Sequence, residues 1–133
     1  MNHANEQQIV LVTGALGRLG KTFSKFIVNS GAHLFLVDQS EEKGRQLVVE
    51  LGIQQADFLV ADITTVSGIQ TAIQACLGHF GKVDAVVHAA YPRSAGWWST
   101  LENLKPEHLF EDLNNQLGGA ILLSREVIKQ FQQ

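Results

Sequence analysis

Four short runs of apolar, β-prone residues recur along this chain, and a segment with helical apolar spacing follows each one. That alternation constrains the fold more than any other feature. A strand that is apolar along its whole length must be covered on both faces, and helices returning over the sheet supply the cover. The runs lie at 9–12, 34–37, 58–61 and 83–89. The first helix is expected at 17–29, with Leu19, Phe23, Phe26 and Ile27 at helical spacing. The second is expected at 41–51 with Leu47, Val48 and Leu51 inward, and the third at 67–79 with Ile69, Ala72, Ile73, Cys76 and Leu77. A long loop at 90–105 precedes a final helix that opens at Pro106, whose missing N–H costs nothing in a first turn. That helix carries Leu109, Phe110, Leu113, Leu117, Ile121, Val127, Ile128 and Phe131, and it encloses Gly118 and Gly119. Glycine in an exposed helix interior costs about 1 kcal/mol relative to alanine, so the pair predicts close approach of a neighbouring backbone.

Right-handed crossovers turn this order into an α/β fold, a three-layer Rossmann-type doubly wound parallel sheet that is half-complete, with strand order 3-2-1-4. The whole of 1–133 reads as one domain. With 45% hydrophobic and 17% charged residues the chain can hold a core, which excludes disorder as its main state. No apolar run approaches the ~20 residues of a membrane span, and the polar opening, residues 1–8, is unlike a secretory leader. A net charge of −3 argues against a nucleic-acid partner. The single cysteine, Cys76, excludes an internal disulfide and points to a reducing cytoplasm. No cluster has metal-ligand spacing, so no metal is expected.

The chemistry is concentrated where the first strand meets the first helix, in Thr13-Gly14-Ala15-Leu16-Gly17-Arg18-Leu19-Gly20. A tight turn there needs a residue free in φ, which Gly14 supplies. Gly17 lacks a Cβ and lets a pyrophosphate approach the backbone. Gly20 allows the helix to pack closely. The free N–H groups of a first helical turn attract an anion, so this turn is expected to hold a dinucleotide, with Arg18 and Leu19 also against it. Asp38 ends the second strand near the ~20-residue separation expected of an acid that binds the adenosine ribose. Its carboxylate would repel a 2′-phosphate, which favours NAD over NADP, although Arg18 could contact phosphate. Asp62, ending the third strand, is placed either to accept from the adenine amino group or to cap the next turn. His88, ending the fourth strand, is expected to be a hydrogen-bonded structural histidine. Ala89 and Ala90 leave room for a dinucleotide backbone. Trp97 and Trp98 are expected to anchor the long loop in the core; the competing reading is a substrate lid.

On these residues the chain resembles the N-terminal half of the short-chain dehydrogenase/reductase superfamily, from Ile9 through about Phe131. The Gly-x-x-Gly-x-x-Gly spacing resembles its extended and atypical branches. Val-Asp-Ala-Val-Val-His-Ala-Ala at 83–90 is similar to its fourth-strand motif, with His88-Ala89-Ala90 where many members have Asn-Asn-Ala. Ala-Ala-Tyr-Pro-Arg at 89–93 and Leu-Gly-Gly at 117–119 resemble bacterial members linked to flagellin modification and surface sugars. The resemblance implies pyrophosphate at Gly14, Gly17 and Gly20, ribose at Asp38, adenine at Asp62, and a cofactor lining from Ala89 and Ala90. It also implies NAD-dependent oxidoreductase chemistry on a small-molecule substrate.

The pattern breaks at the proton-transfer step. The family uses Tyr-x-x-x-Lys, and the one tyrosine here, Tyr91, is followed by Pro92-Arg93-Ser94-Ala95. The family's helical asparagine falls on Asn115 or Gln116, with Asn114 beside them, and Asn115 is carried over as the catalytic candidate. The expectation is therefore a truncated oxidoreductase, binding NAD without turnover alone. The alternative is a non-catalytic NAD-binding sensor or regulatory module, and a further one is a nucleotide-binding domain of flavodoxin type. An unpaired fourth strand and an uncovered last helix would favour a homo-oligomer or a missing C-terminal polypeptide as partner.

Overall fold

The computed structural model describes residues 7–132. Apart from Gln7 and Gln8, the polar opening weighed above as a leader lies outside them. The chain runs β1 (Ile9–Thr13), α1 (Arg18–Asn29), β2 (His33–Asp38), α2 (Glu41–Leu51), β3 (Ala56–Val60), α3 (Val66–Phe80) and β4 (Ala85–His88). A 3₁₀ turn (Leu101–Asn103) then leads to α4 (Pro106–Leu113), a π turn (Asn114–Gly118) and α5 (Gly119–Phe131). The four strands form one parallel sheet in the order β3-β2-β1-β4.

Alternation along the central strands builds the three layers, because successive side chains leave a strand on opposite faces. Ile9 and Leu11 of β1, with Phe35 and Val37 of β2, pack against Ile69, Ile73 and Cys76 of α3 and Leu123 and Val127 of α5. Val10 and Val12, with Leu34 and Leu36, pack against Leu47, Val48 and Leu51 of α2 and against Phe58. Every residue of β1 is therefore buried, whereas the edge strand β4 is only half-covered. Glu126 ties α5 to α3: its buried carboxylate accepts from Lys129 Nζ at 2.8 Å, from Gln70 Nε2 at 3.1 Å and from Arg125 Nε at 2.9 Å. Lys129 and these other donors hold its pKa down to about 2.

Three local expectations are corrected. Three of the four apolar residues expected inward on α1 do not face the sheet: Leu19, Phe23 and Phe26 are 61%, 41% and 76% exposed, the buried positions are Gly20 and Ser24, and Ile27 alone of the four packs against the core, beside Val28. Small residues win the inner face because the helix starts too close to the preceding turn to admit large ones. The final helix is two helices joined by a π turn. Gly118 and Gly119 are not pressed by a neighbouring backbone, since a Cβ at Gly119 would meet only Ile63 O, at 3.9 Å, and one at Gly118 would meet chiefly the Asn114 side chain of its own helix. With φ −58° and ψ −45°, Gly119 has a geometry alanine adopts freely. Gly119→Ala is therefore expected to stabilise the protein by about 0.5–1 kcal/mol, by lowering the freedom of the unfolded chain. The urea midpoint checks this; an unchanged or lower midpoint would show that the position is strained in a way its geometry conceals.

Candidate functional site

All four strands end on one rim, and the carboxyl rim of a parallel sheet is where such folds bind ligands. A cavity of about 950 Å³ opens there. Its lining includes Gly14, Gly17, Arg18, Leu19, Asp38, Asp62, Ala89, Ala90 and Asn115. Gly20 is the one nominated residue outside the lining.

The three glycines have three different physical reasons. Gly14 sits at φ +68°, and a Cβ there would lie 2.3 Å from Ala90 N. Gly20 lies behind the turn, where a Cβ would come 2.0 Å from Gly14 O and 2.8 Å from Ala15 Cα. Its close packing is therefore against the turn rather than the sheet. A Cβ on Gly17 would meet only Gly14 O, at 3.3 Å, so the space in front of it is open. Gly17 also caps α1 without a side chain. The first helix N–H groups, those of Arg18, Leu19 and Gly20, have no acceptor within the helix, and the N–H of Lys21 is the one that bonds Gly17 O. The turn thus offers an anion a cluster of free donors at the positive end of a helix dipole.

Asp38 braces this turn from the next strand. Its Oδ2 accepts from Leu16 N–H at 2.8 Å, and its Oδ1 accepts from Gln39 N–H at 2.8 Å. Each oxygen keeps a lone pair for a hydroxyl in the cavity. The Oδ1 of Asp62 accepts from the N–H and Oγ1 of Thr64, at 3.0 and 2.6 Å, while Thr65 caps α3 by accepting from Gly68 N–H. Asp62 therefore organises the turn before α3, and its Oδ2 has no partner among the described residues. His88 also lines the cavity: Nδ1 lies 2.6 Å from Thr13 Oγ1, and Nε2 is buried without a partner among the described residues. Burial lowers its pKa, which keeps the ring neutral at pH 7.

The π turn sorts the three polar candidates. Asn115 faces the cavity, and its side chain has no hydrogen-bond partner among the described residues. Gln116 turns instead to the loop and donates to Pro92 O at 2.9 Å. Asn114 lies against Gly118. The loop itself is anchored by a group that sequence reasoning missed. Buried Asp112 accepts from Ser94 N–H at 2.6 Å and from Ser94 Oγ at 2.9 Å. Gly96 packs on the His108 ring, where no Cβ could fit. The tryptophans are not the anchor: Trp97 is half-buried and Trp98 is 82% exposed. Among the described residues no helix is long and apolar enough to cross a membrane.

The sequence profile of a family described as short chain dehydrogenase matches residues 8–133. The chain is 32% identical over 132 residues to post-translational flagellin modification protein A of Campylobacter coli, covering 96% of this chain and 52% of that protein. It superposes with a TM-score of 0.82 on a 3-ketoacyl-(acyl-carrier-protein) reductase of Brucella melitensis complexed with NADH, at 28% identity, covering 95% of this chain and 50% of that one. It also superposes on an actinorhodin polyketide ketoreductase with NADPH, again at 0.82, with 25% identity over 93% of this chain and 47% of that one. The chain spans about half the length of these relatives.

Proposed function

The chain belongs to the short-chain dehydrogenase family, and from that premise we propose that it is the dinucleotide-binding portion of an oxidoreductase whose cofactor is NAD. The observation that carries this reading is the turn at 14–20, with free helix N–H groups facing open space at Gly17. These amides and Arg18 would hold the pyrophosphate. Asp38 would take the ribose hydroxyls, and the unpartnered Oδ2 of Asp62 would take the adenine amino group. Ala89 and Ala90 would give the dinucleotide passage along the rim, against Leu19. When bound, the nicotinamide supplies the hydride-transfer chemistry of the family. Asn115, with its amide unengaged, is the residue suited to position a water or a proton donor there. Since Tyr91 has Ala95 four positions on, the family's tyrosine–lysine pair is not within these residues. This chain alone would then bind cofactor without turnover, and the domain would span 1–133. That same observation supports a second reading, an NAD-binding module that senses cofactor for a partner.

Partners follow from what is exposed. Leu113, Leu117 and Ile121 are 50%, 61% and 59% exposed along α4, the π turn and α5, and β4 lies at one edge of the sheet. They suit a second copy or a C-terminal polypeptide that carries the rest of the family's sheet. The similarity to the Campylobacter protein, with residues 89–93 and 117–119, supports the flagellin-modification branch. A cytoplasmic location fits a sole cysteine that is a buried thiol, its pKa raised to about 12 by burial.

Calorimetric titration tests the cofactor. NAD⁺ is expected to bind at least tenfold more tightly than NADP⁺. Asp38→Asn, which keeps an acceptor for Leu16 N–H but removes the charge, is expected to erase most of that preference. Failure of both dinucleotides to bind would end the proposal. Tighter binding of NADP⁺ would reverse the ribose assignment.

A further inference from the structure

Arg93 lines the cavity on the loop that follows β4, and it is a cation without a carboxylate partner among the described residues. Some cations of the chain are paired, Arg45 with Glu41 and Asp57, Lys129 and Arg125 with Glu126, Lys25 with Glu50, whereas Arg18, on the same cavity, also has no carboxylate partner among the described residues; what sets Arg93 apart is its surroundings. No hydrogen bond engages a guanidinium N–H of Arg93 among the described residues. Three aromatic rings surround it instead, with centroids 5.8 Å (Tyr91), 5.6 Å (Trp97) and 5.5 Å (Trp98) from its Cζ. Tyr91 and Trp97 brace each other edge-on at 5.2 Å.

The backbone on either side of Arg93 is clamped. Pro92 O accepts from Gln116, and Ser94 gives both its N–H and its hydroxyl to Asp112. The Gln116 bond also ties this loop to the π turn that presents Asn115 to the same cavity. One buried polar anchor, Asp112 on Ser94, one half-buried anchor, Gln116 on Pro92, and three rings thus converge on one exposed arginine. The rings limit the side chain's rotamers and satisfy the cation only by weak cation–π attraction. Its planar fork of donors is left for a planar or tetrahedral oxyanion. The dinucleotide's own phosphates have a separate cradle, on the α1 turn with Arg18.

We propose that Arg93 receives an oxyanion, a phosphate or a carboxylate, on the small molecule the bound dinucleotide acts upon, and so selects an anionic substrate. This rests on the dinucleotide reading above. The two tryptophans of the chain are both in the ring frame, so tryptophan emission reports on this site alone. The experiment first saturates the protein with NAD⁺, followed by calorimetry, which also blocks the α1 turn against stray anions. Glycerol 3-phosphate and succinate are then titrated separately, with glycerol as the uncharged control. At least one anion is expected to change the emission saturably, the phosphate and carboxylate arms showing which oxyanion the site prefers, while glycerol does nothing. Arg93→Gln is expected to weaken that anion at least tenfold. The proposal is overturned if neither anion alters the emission, if Arg93→Gln responds as the parent does, or if Arg93→Gln loses NAD⁺ affinity, which would make Arg93 a cofactor contact. Absence of NAD⁺ binding at the first step defeats the dinucleotide reading and this one with it, and is seen before any anion is added.

Discussion

Gly14→Ala is expected to cost the protein on the order of 4 kcal/mol and to abolish dinucleotide binding. Two effects add at this position. The backbone is left-handed, at φ +68°, which costs any L-residue about 1–2 kcal/mol. The new methyl would also lie 2.3 to 2.6 Å from Ala90 N, Ala90 Cα and Ala89 C, none of which can move without shifting the end of β4. Overpacking of that kind costs about 1–3 kcal/mol more. Gly81 provides the control. It closes α3 at φ +80°, and an added methyl there would have nothing within 4 Å, so Gly81→Ala should carry the conformational cost alone, about 1 kcal/mol. Urea unfolding of the two variants separates the terms. Equal losses would mean that the approach of the β1–α1 turn to the end of β4 has no energetic weight. The stake is large against the ~5–15 kcal/mol that holds a typical domain together.

The architecture was legible because its signal is periodic. A strand buried on both faces reads as an unbroken apolar run, and Ile9 to Val12 or Leu34 to Val37 can mean little else when helical spacing follows each. The rim residues were legible for a related reason: strand ends are marked by the first polar residue, and Asp38, Asp62 and His88 all stand at that boundary. Periodicity reports that a helix has an apolar face, however, and not which surface covers it. Leu19, Phe23 and Phe26 have the right spacing, yet the sheet side of α1 belongs to Gly20, Ser24 and, further along, Ile27 and Val28, and at Gly20 contact with the Gly14 carbonyl leaves no room for more. The π turn left no trace at all. Its flanking residues keep ordinary helical angles, φ −61° at Leu113 and −58° at Gly119, so nothing beside it marks one extra residue per turn. It nevertheless decides that Asn115, and neither neighbour, reaches the cavity. Gly44 was equally silent: inside α2 it reads as a weak helix residue, whereas it is the floor on which the Phe58 ring lies. Contacts between residues far apart in sequence are set by the assembled layers, and a single chain read in order does not display them.

Asp112 is the sharpest case of such a contact, and its removal should release the loop that carries Arg93. The carboxylate is 7% exposed and faces no cation among the described residues; what it has are the N–H and the hydroxyl of Ser94. In Asp112→Ala both donors stay buried with no acceptor, at about 1–3 kcal/mol each, unless the loop opens to water. Opening is the cheaper course, since the loop's remaining ties to α4 and the π turn are the Gln116 bond and the packing of Gly96 on His108. The amide that Asp112 holds belongs to the Arg93–Ser94 peptide bond, which is also a trypsin site. Cleavage needs that bond extended and free, so its rate follows the open population when opening and closing are fast. A loss of about 3 kcal/mol of local stability raises that population by about two orders of magnitude, and trypsin should cut Asp112→Ala after Arg93 faster by that factor. Asp112→Asn should lie between, because its amide oxygen still accepts from Ser94 N–H while its NH₂ can donate to the hydroxyl oxygen. Mass analysis of the early fragments identifies the bond. Cutting after Arg93 at the parent's rate would show that the loop is held by its aromatic frame and not by Asp112.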